Sequence, residues 1–358
     1  SKLDGAVASN AYHLGFDASW EPDLFGANGH ALAAEQASLG ASALTLADVQ
    51  VSVAAEVARA YIGLRGVQAR LGIAGANLAS QQEIERLTGW RAQAGLMSEL
   101  ELLQARSATE LAAAQLPALR VSQAQWMHSL AVLCGQPPAA LDAELGAPGA
   151  IPAAAPELAL SLPAATLAQR PDVRAAAHRL AAARARVGQA DAARYPSLRL
   201  EGSLGLNGLG LGGGGSLLRT LLASVAGKAF DSGAGDARLQ AQRGALAQAQ
   251  AAHLAALLTA LQEVEDGLAV LAGDQARAGH LRRAAASAAQ AALLARQRYA
   301  SGLADYQSVL ETQRTLYAAE DGLALNSADL GTDLVRLYKA LGGGWEPGAE
   351  VPSEAGPL

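Results

Sequence analysis

The side chains able to do chemistry are scattered in this sequence. His13, His30, His128, His178, His253 and His280 never stand three or four residues apart, so no pair can present two metal ligands on one helix face. Glu263, Glu265 and Asp266 form an acidic cluster on a predicted helix. Glu263 and Glu265 do not share a face, no histidine stands one turn away, and the cluster reads as solvated surface. Gly208, Gly210 and Gly213 satisfy G-x-G-x-x-G, with Asp231 downstream, but a dinucleotide site needs a buried parallel strand before the glycines. Residues 197–207 instead alternate apolar with polar, Arg199 and Glu201 included, and the glycines read as a loop between strands. Cys134 is alone, which excludes an internal disulfide, and reads as a small buried residue near a helix end. Glu311 and Arg314 stand three apart, the spacing of an ion pair on one helix face. No nucleophile constellation is present. These residues predict no enzyme, no cofactor and no metal.

Composition explains why chemistry is sparse. Among 358 residues there are only 3 Phe and 7 Tyr, although aromatics usually fill globular cores. Alanine and leucine with Gln, Glu and Arg dominate, the profile of long helices and coiled coils. The net charge of −6 comes from interspersed acids and bases, without the basic stripe a nucleic acid requires. No run of apolar residues reaches the length of a membrane-spanning helix. Residues 1–10 lack a signal peptide's charged region and apolar run, and the natural N-terminus is expected upstream of Ser1.

Two internal copies set the architecture. Residues 56–135 align with 263–342 without a gap: Glu56 with Glu263, Gly66 with Gly273, Arg91 with Arg298, Gly95-Leu96 with Gly302-Leu303, Gly135 with Gly342. No proline occurs between Pro22 and Pro117 or between Pro196 and Pro347, so each copy can hold a very long helix, predicted at 29–93 and 236–299. The first would be roughly 95 Å long at 1.5 Å per residue. Leu46, Gln50, Val53, Val57, Ala60, Leu64, Val67, Leu71, Ala74 and Leu78 mark a heptad seam along it. Trp90 and Trp126 are expected to fill gaps between helices or to lie in the equatorial belt. Prolines gather from Pro137 to Pro171, the mark of an irregular connector.

Strands precede the long helices. Tyr12, Leu14, Phe16, Ala18 and Trp20 alternate with His13, Gly15, Asp17 and Ser19, a pattern that fits a tilted outer-membrane strand and equally a half-buried strand of a soluble sheet. Leu198, Leu200, Gly202, Leu204 and Leu206 repeat the pattern, followed by a turn over 208–215 and a weaker strand at about 222–230. Three strands cannot close a barrel, and an open edge is forbidden in lipid, so if these strands form a barrel, other subunits complete it. The expected segments are a β segment at 1–25, a helical hairpin at 26–135, the connector at 136–171 and a helix at 172–195. A β-hairpin at 196–231, a second helical hairpin at 232–342 and a tail at 343–358 complete the chain.

With those elements in place, several runs resemble the TolC-like family of outer-membrane efflux channels, specifically its acylated multidrug-efflux branch. They are Trp20-Glu21-Pro22-Asp23-Leu24-Phe25-Gly26, Leu162-Pro163 leading to Arg170-Pro171-Asp172-Val173-Arg174, Arg298-Tyr299-Ala300-Ser301-Gly302, Glu311-Thr312-Gln313-Arg314-Thr315-Leu316-Tyr317, and Leu337-Tyr338-Lys339-Ala340-Leu341-Gly342-Gly343-Gly344-Trp345. The resemblance implies a mainly helical protein with a small β part. Each subunit of a homotrimer would give four strands to a 12-stranded barrel in outer-membrane lipid, with coiled-coil hairpins forming a tube in the periplasm. It also implies a periplasmic adaptor and an inner-membrane resistance-nodulation-division (RND) transporter as partners. A first long helix, a first strand and a lipidated cysteine would precede Ser1. By position, Gly95-Leu96 and Gly302-Leu303 would be the helix-tip turns, with Glu311, Arg314, Gln307 and Glu101 at a periplasmic gate. Lys228-Ala229-Phe230-Asp231-Ser232-Gly233 departs from the family's second strand-to-helix junction. Two rival readings are a type I secretion duct of the same fold and a periplasmic coiled-coil adaptor. The R-P-D-V-R run and the Gly-Gly-Gly-Trp ending favour the drug-efflux branch, and two hairpins instead of one disfavour the adaptor.

Overall fold

The computed structural model describes residues 11–152, 169–209, 216–227 and 231–343. Strand β1 (Ala11–Trp20) precedes helices α1 (Ala27–Gln93) and α2 (Glu99–Leu133); the short α3 (Asp142–Leu145) and α4 (Pro171–Ala192) follow. Strands β2 (Ser197–Leu209) and β3 (Ser216–Ala226) lead into α5 (Ala234–Ala300) and α6 (Tyr306–Ala340). The repeat holds to the residue. Helices α1 and α5 each have 67 residues, α2 and α6 each have 35, and all four keep the alignment register read from the sequence. Glycines with left-handed φ pair in that register too: Gly26 with Gly233, Gly95 with Gly302, Gly135 with Gly342. At 1.5 Å per residue α1 and α5 are each about 100 Å long, well beyond a bilayer's thickness. One window of α1 has the length and apolar content of a membrane span, a consequence of its Ala and Leu content.

Two compact units divide the chain across the long helices, one comprising residues 1–44 and 174–256, the other 45–173 and 257–358. In the first, the strands form one antiparallel sheet in the order β1-β2-β3. Its register sets Phe16 opposite Leu204 and Leu14 opposite Leu206, placing the apolar residues of β1 and β2 on one face. Leu14 and Phe16 are 74% and 82% exposed. The third strand lies earlier than the sequence suggested, at 216–226, and 228–230 fall outside the described residues along with most of the predicted Gly-rich turn. The doublets Leu217-Leu218 and Leu221-Leu222 hide its alternation. Arg219, opposite Leu204, shares the apolar face, and Leu218 and Leu222 take the other.

The strand-to-helix junctions are built alike. Asp23 accepts from the Asn28 and Gly29 amides at 3.1 and 2.7 Å, and Asp231 from those of Gly233 and Gly235 at 3.0 and 2.7 Å. Each carboxylate satisfies orphan donors at a helix start, which is the physical content of the Asp in the W-E-P-D-L-F-G run. Phe25 stacks on Tyr195 at 4.7 Å between ring centres.

The upper part of α1 packs on α4. A Cβ at Gly40 would meet the His178 ring at 2.7 Å, and Glu35 pairs with Arg186. In the second unit α1 instead meets α2 and α6. Leu46 and Val53 of the predicted seam are exposed and Leu44, Ala47 and Ala55 are buried instead, whereas Ala60, Leu64, Val67 and Ala74 are buried as expected. Contacts of Ile84 with Ala105, Val67 and Ala74 with Leu119, and Leu64 with Leu130 run α1 and α2 antiparallel. A Cβ at Gly66 would stand 2.8 Å from that of Ala328, so small residues set the approach of α1 to α6. Trp126 covers Gly63, as expected of a gap filler, but Trp90 is 58% exposed beneath Arg86. Cys134 is exposed at the α2 C-cap, not buried.

The connector is tied down by buried cations. Arg65 donates to the Ala147 carbonyl at 2.8 Å and Gln68 to that of Leu145 at 2.7 Å. Arg170, 7% exposed, donates to both oxygens of Asp172 at 3.0 and 2.8 Å, to Glu263 at 2.7 Å and to the Ala340 carbonyl at 2.9 Å. Glu263 is therefore an anchor and not bare solvated surface.

Candidate functional site

The helix tips of the second unit hold most of the positions singled out in the sequence. Each long helix ends in a Schellman turn. Leu96 N–H reaches the Arg91 carbonyl and Gly95 N–H that of Ala92; Leu303 and Gly302 bond Arg298 and Tyr299 in the same way. Gly95 and Gly302 have φ of 70° and 79°, which an L side chain resists. Leu96 and Leu303 are 76% and 80% exposed. Each return helix then starts with a side-chain cap. Ser98 and Glu101 form a capping box, with Glu101 accepting from Ser98 N–H at 3.0 Å. Asp305 accepts from the Ser308 hydroxyl at 2.6 Å and from Ser308 N–H at 2.9 Å, and these bonds hold its carboxyl below the usual carboxylate range.

The structure separates the four predicted gate residues. Glu101 is engaged in its cap. Gln307 on α6 donates to Gln104 on α2 at 2.8 Å, joining the two hairpins of one chain. Glu311 and Arg314 are exposed on α6 and, among the described residues, form no ion pair with each other or with other groups. The simple helix pair suggested by their spacing is therefore not made.

A latch not anticipated from the sequence lies behind them. Tyr299, 1% exposed, meets Thr88 hydroxyl to hydroxyl at 2.7 Å and donates to the Met97 sulfur at 3.2 Å. Arg91 lies over the Tyr299 ring at 4.6 Å and donates to the Ala300 carbonyl at 2.8 Å, a cation at a helix C-terminus. Tyr306 packs edge-on at 6.4 Å, its hydroxyl buried without a partner, and burial pushes its pKa up to about 12. The aligned pair Arg91/Arg298 was the available signal, and the first copy's arginine reaches the end of α5.

Among the described residues no set of three or more His, Cys, Asp or Glu side chains could hold a metal, and β2 lies in an antiparallel sheet, not the parallel sheet of a dinucleotide fold. A sheet with one exposed apolar face, repeated helices about 100 Å long and charged tips define a channel protomer, not a catalyst.

Comparison with known proteins agrees. The chain belongs to the outer membrane efflux protein family, matched over residues 2–136 and 162–343. It is 34% identical to a probable efflux pump outer membrane protein, SepC of Pseudomonas putida, over 98% of this chain and 73% of that protein. It is 31% identical to outer membrane protein OprJ of Pseudomonas aeruginosa, over 96% of this chain and 72% of that one. The solved outer-membrane channel OprN superposes with a TM-score of 0.89 at 32% identity, covering 95% of this chain and 82% of that structure. The protein is an outer-membrane efflux channel component with a periplasmic helical extension, and not an enzyme.

Proposed function

We propose that three copies of this chain assemble into a passive exit duct that carries small molecules from an inner-membrane RND transporter through a periplasmic adaptor. The observation that carries this reading is the doubled unit, strand followed by a 67-residue helix and a 35-residue return helix, set beside a sheet whose exposed face bears Leu14, Phe16 and Leu204. That face suits lipid, and the sheet's unpaired edges require strands of neighbouring copies to close in a bilayer. Side-by-side hairpins with small residues at their contacts suit a tube wall. Relatives bear names such as toluene efflux and pyoverdine export outer membrane protein, which differ in cargo. This chain's cargo is accordingly assigned only as small molecules.

At the tube's end, Glu311 and Arg314 of each copy face the other copies, and the Arg91–Tyr299–Thr88 latch fixes the tip that carries them. A carboxylate ring in a narrow pore favours cations and is held by guanidinium partners. Deleting the gene in its host should raise retention of a lipophilic dye that the efflux transporter exports, and the intact gene should restore export. Unchanged dye retention with loss of a secreted protein would instead indicate the type I secretion duct.

A further inference from the structure

The two copies differ sharply at one buried level. In the first, Val67 and Leu119 pack in an apolar cluster, and Trp126 lies close by on α2. The aligned positions of the second copy are Asp274 on α5 and Asn326 and Asp333 on α6. The fold therefore tolerates apolar side chains here, and the second copy's polar set is not required by the helix pairing. Asn326, fully buried, donates to Asp274 at 3.2 Å while its own carbonyl oxygen has no partner. Asp333, its side chain 4% exposed, pairs with Arg336 through Oδ1 at 3.2 Å, and its buried Oδ2 is also unpartnered. Two buried acceptor oxygens beside a second carboxylate lack a donor. A proton is the smallest group that supplies one.

We propose that the buried Asp333 carboxyl holds a proton in the folded protein, making the α5–α6 seam a pH-responsive joint that is closed when Asp333 is protonated and loosened when it ionises beside Asp274. The charged groups acting on Asp333 are Asp274 from α5 and Asp329 and Arg336 from α6. Arg277 of α5 acts on Asp329. From α1, Ile62 lies against Gly331 and Gly66 against Ala328, and neither carries charge. Burial, with the hydrogen bond and charge of Asp274 and only partly offset by Arg336, raises the Asp333 carboxyl to about 6. The folded state thus binds the proton more tightly than the unfolded chain. The linked stability is fully present below the unfolded value, about 3.9, and is lost as pH rises through about 6.

Two readouts on the full-length protein in detergent or lipid test this independently of cargo or gate. Infrared spectra should show the carbonyl band of a protonated carboxylic acid at mildly acidic pH, lost on raising pH and reduced in Asp333→Asn. Amide exchange, corrected for its intrinsic pH dependence, should show protection in α5 and α6 around these residues falling about tenfold or more from pH 5 to pH 8. The aligned parts of α1 and α2 should not change, and Asp333→Asn should abolish the response. Asp274→Val, which copies the first repeat, serves the same purpose if the asparagine variant folds poorly. An infrared band unaffected by either variant, or equal pH response in both copies, overturns the proposal.

Discussion

Replacing Arg170 by leucine tests how the connector is fastened. The guanidinium makes four hydrogen bonds: two to Asp172, one to Glu263 and one to the Ala340 carbonyl. Leucine keeps much of the packing volume and removes every donor. The buried carbonyl left unpaired costs about 1–3 kcal/mol. Asp172 and Glu263 are 33% and 50% exposed, so water re-solvates them and their lost pairs add only about 1 kcal/mol together. The expected loss is about 2–4 kcal/mol, equivalent to a melting shift of about 3–5 °C if the chain unfolds with ordinary entropy per residue. Lysine, with one ammonium in place of the planar fork, should recover less than half of it. Acid adds a second signature. Burial pushes the Asp172 carboxyl up, but the bonds and charge of Arg170 outweigh this and leave it below its ordinary value. Its contribution is present above the unfolded value near 3.9 and lost as pH falls through the depressed folded value. The wild type should therefore lose stability below about pH 4, and Arg170→Leu should lose less. Calorimetric melting at pH 3 and pH 7 reads both effects. Equal melting temperatures for the two proteins at pH 7 would refute the anchoring of the connector by Arg170.

Two further substitutions use built-in controls. A Cβ at Gly66 would stand 2.8 Å from Ala328, whereas one at the aligned Gly273 meets nothing within 4 Å of its own chain. Gly66→Ala should therefore lower thermal stability by about 1–3 kcal/mol, while Gly273→Ala raises it by about 0.5–1 kcal/mol through helix propensity. Phe16→Lys, on the exposed apolar face, should cost about 2–4 kcal/mol and deplete folded protein in outer-membrane fractions, whereas Asp17→Lys on the opposite face should insert normally.

The long helices were legible because proline is absent from both spans and because the copies reinforce each other's boundaries. Strand β1 was legible from its clean alternation; β3 was not, since its leucine doublets carry no period of two. The heptad seam of α1 failed upstream of Ala55, where Leu46 and Val53 are exposed and Leu44 and Ala47 are buried in their place. Glu263 looked like surface because its partner, Arg170, is distant in sequence. Family likeness pointed to the tips, and the elements that stiffen them, Thr88, Arg91 and Tyr299, meet only when the helices pack. Asp274 and Asp333 were equally silent, for their significance lies in facing each other across two helices.

Single-channel current through the full-length protein in planar bilayers tests the central claim most directly. The wild type should insert as a channel of low, steady, cation-preferring conductance. Glu311→Ala combined with Arg314→Ala should raise that conductance and weaken the cation preference, because contacts worth about 1–3 kcal/mol each are removed from a partly desolvated constriction. Correctly folded protein that passes no current, or a double variant with unaltered conductance and selectivity, would contradict the account of a duct closed at its helical tip.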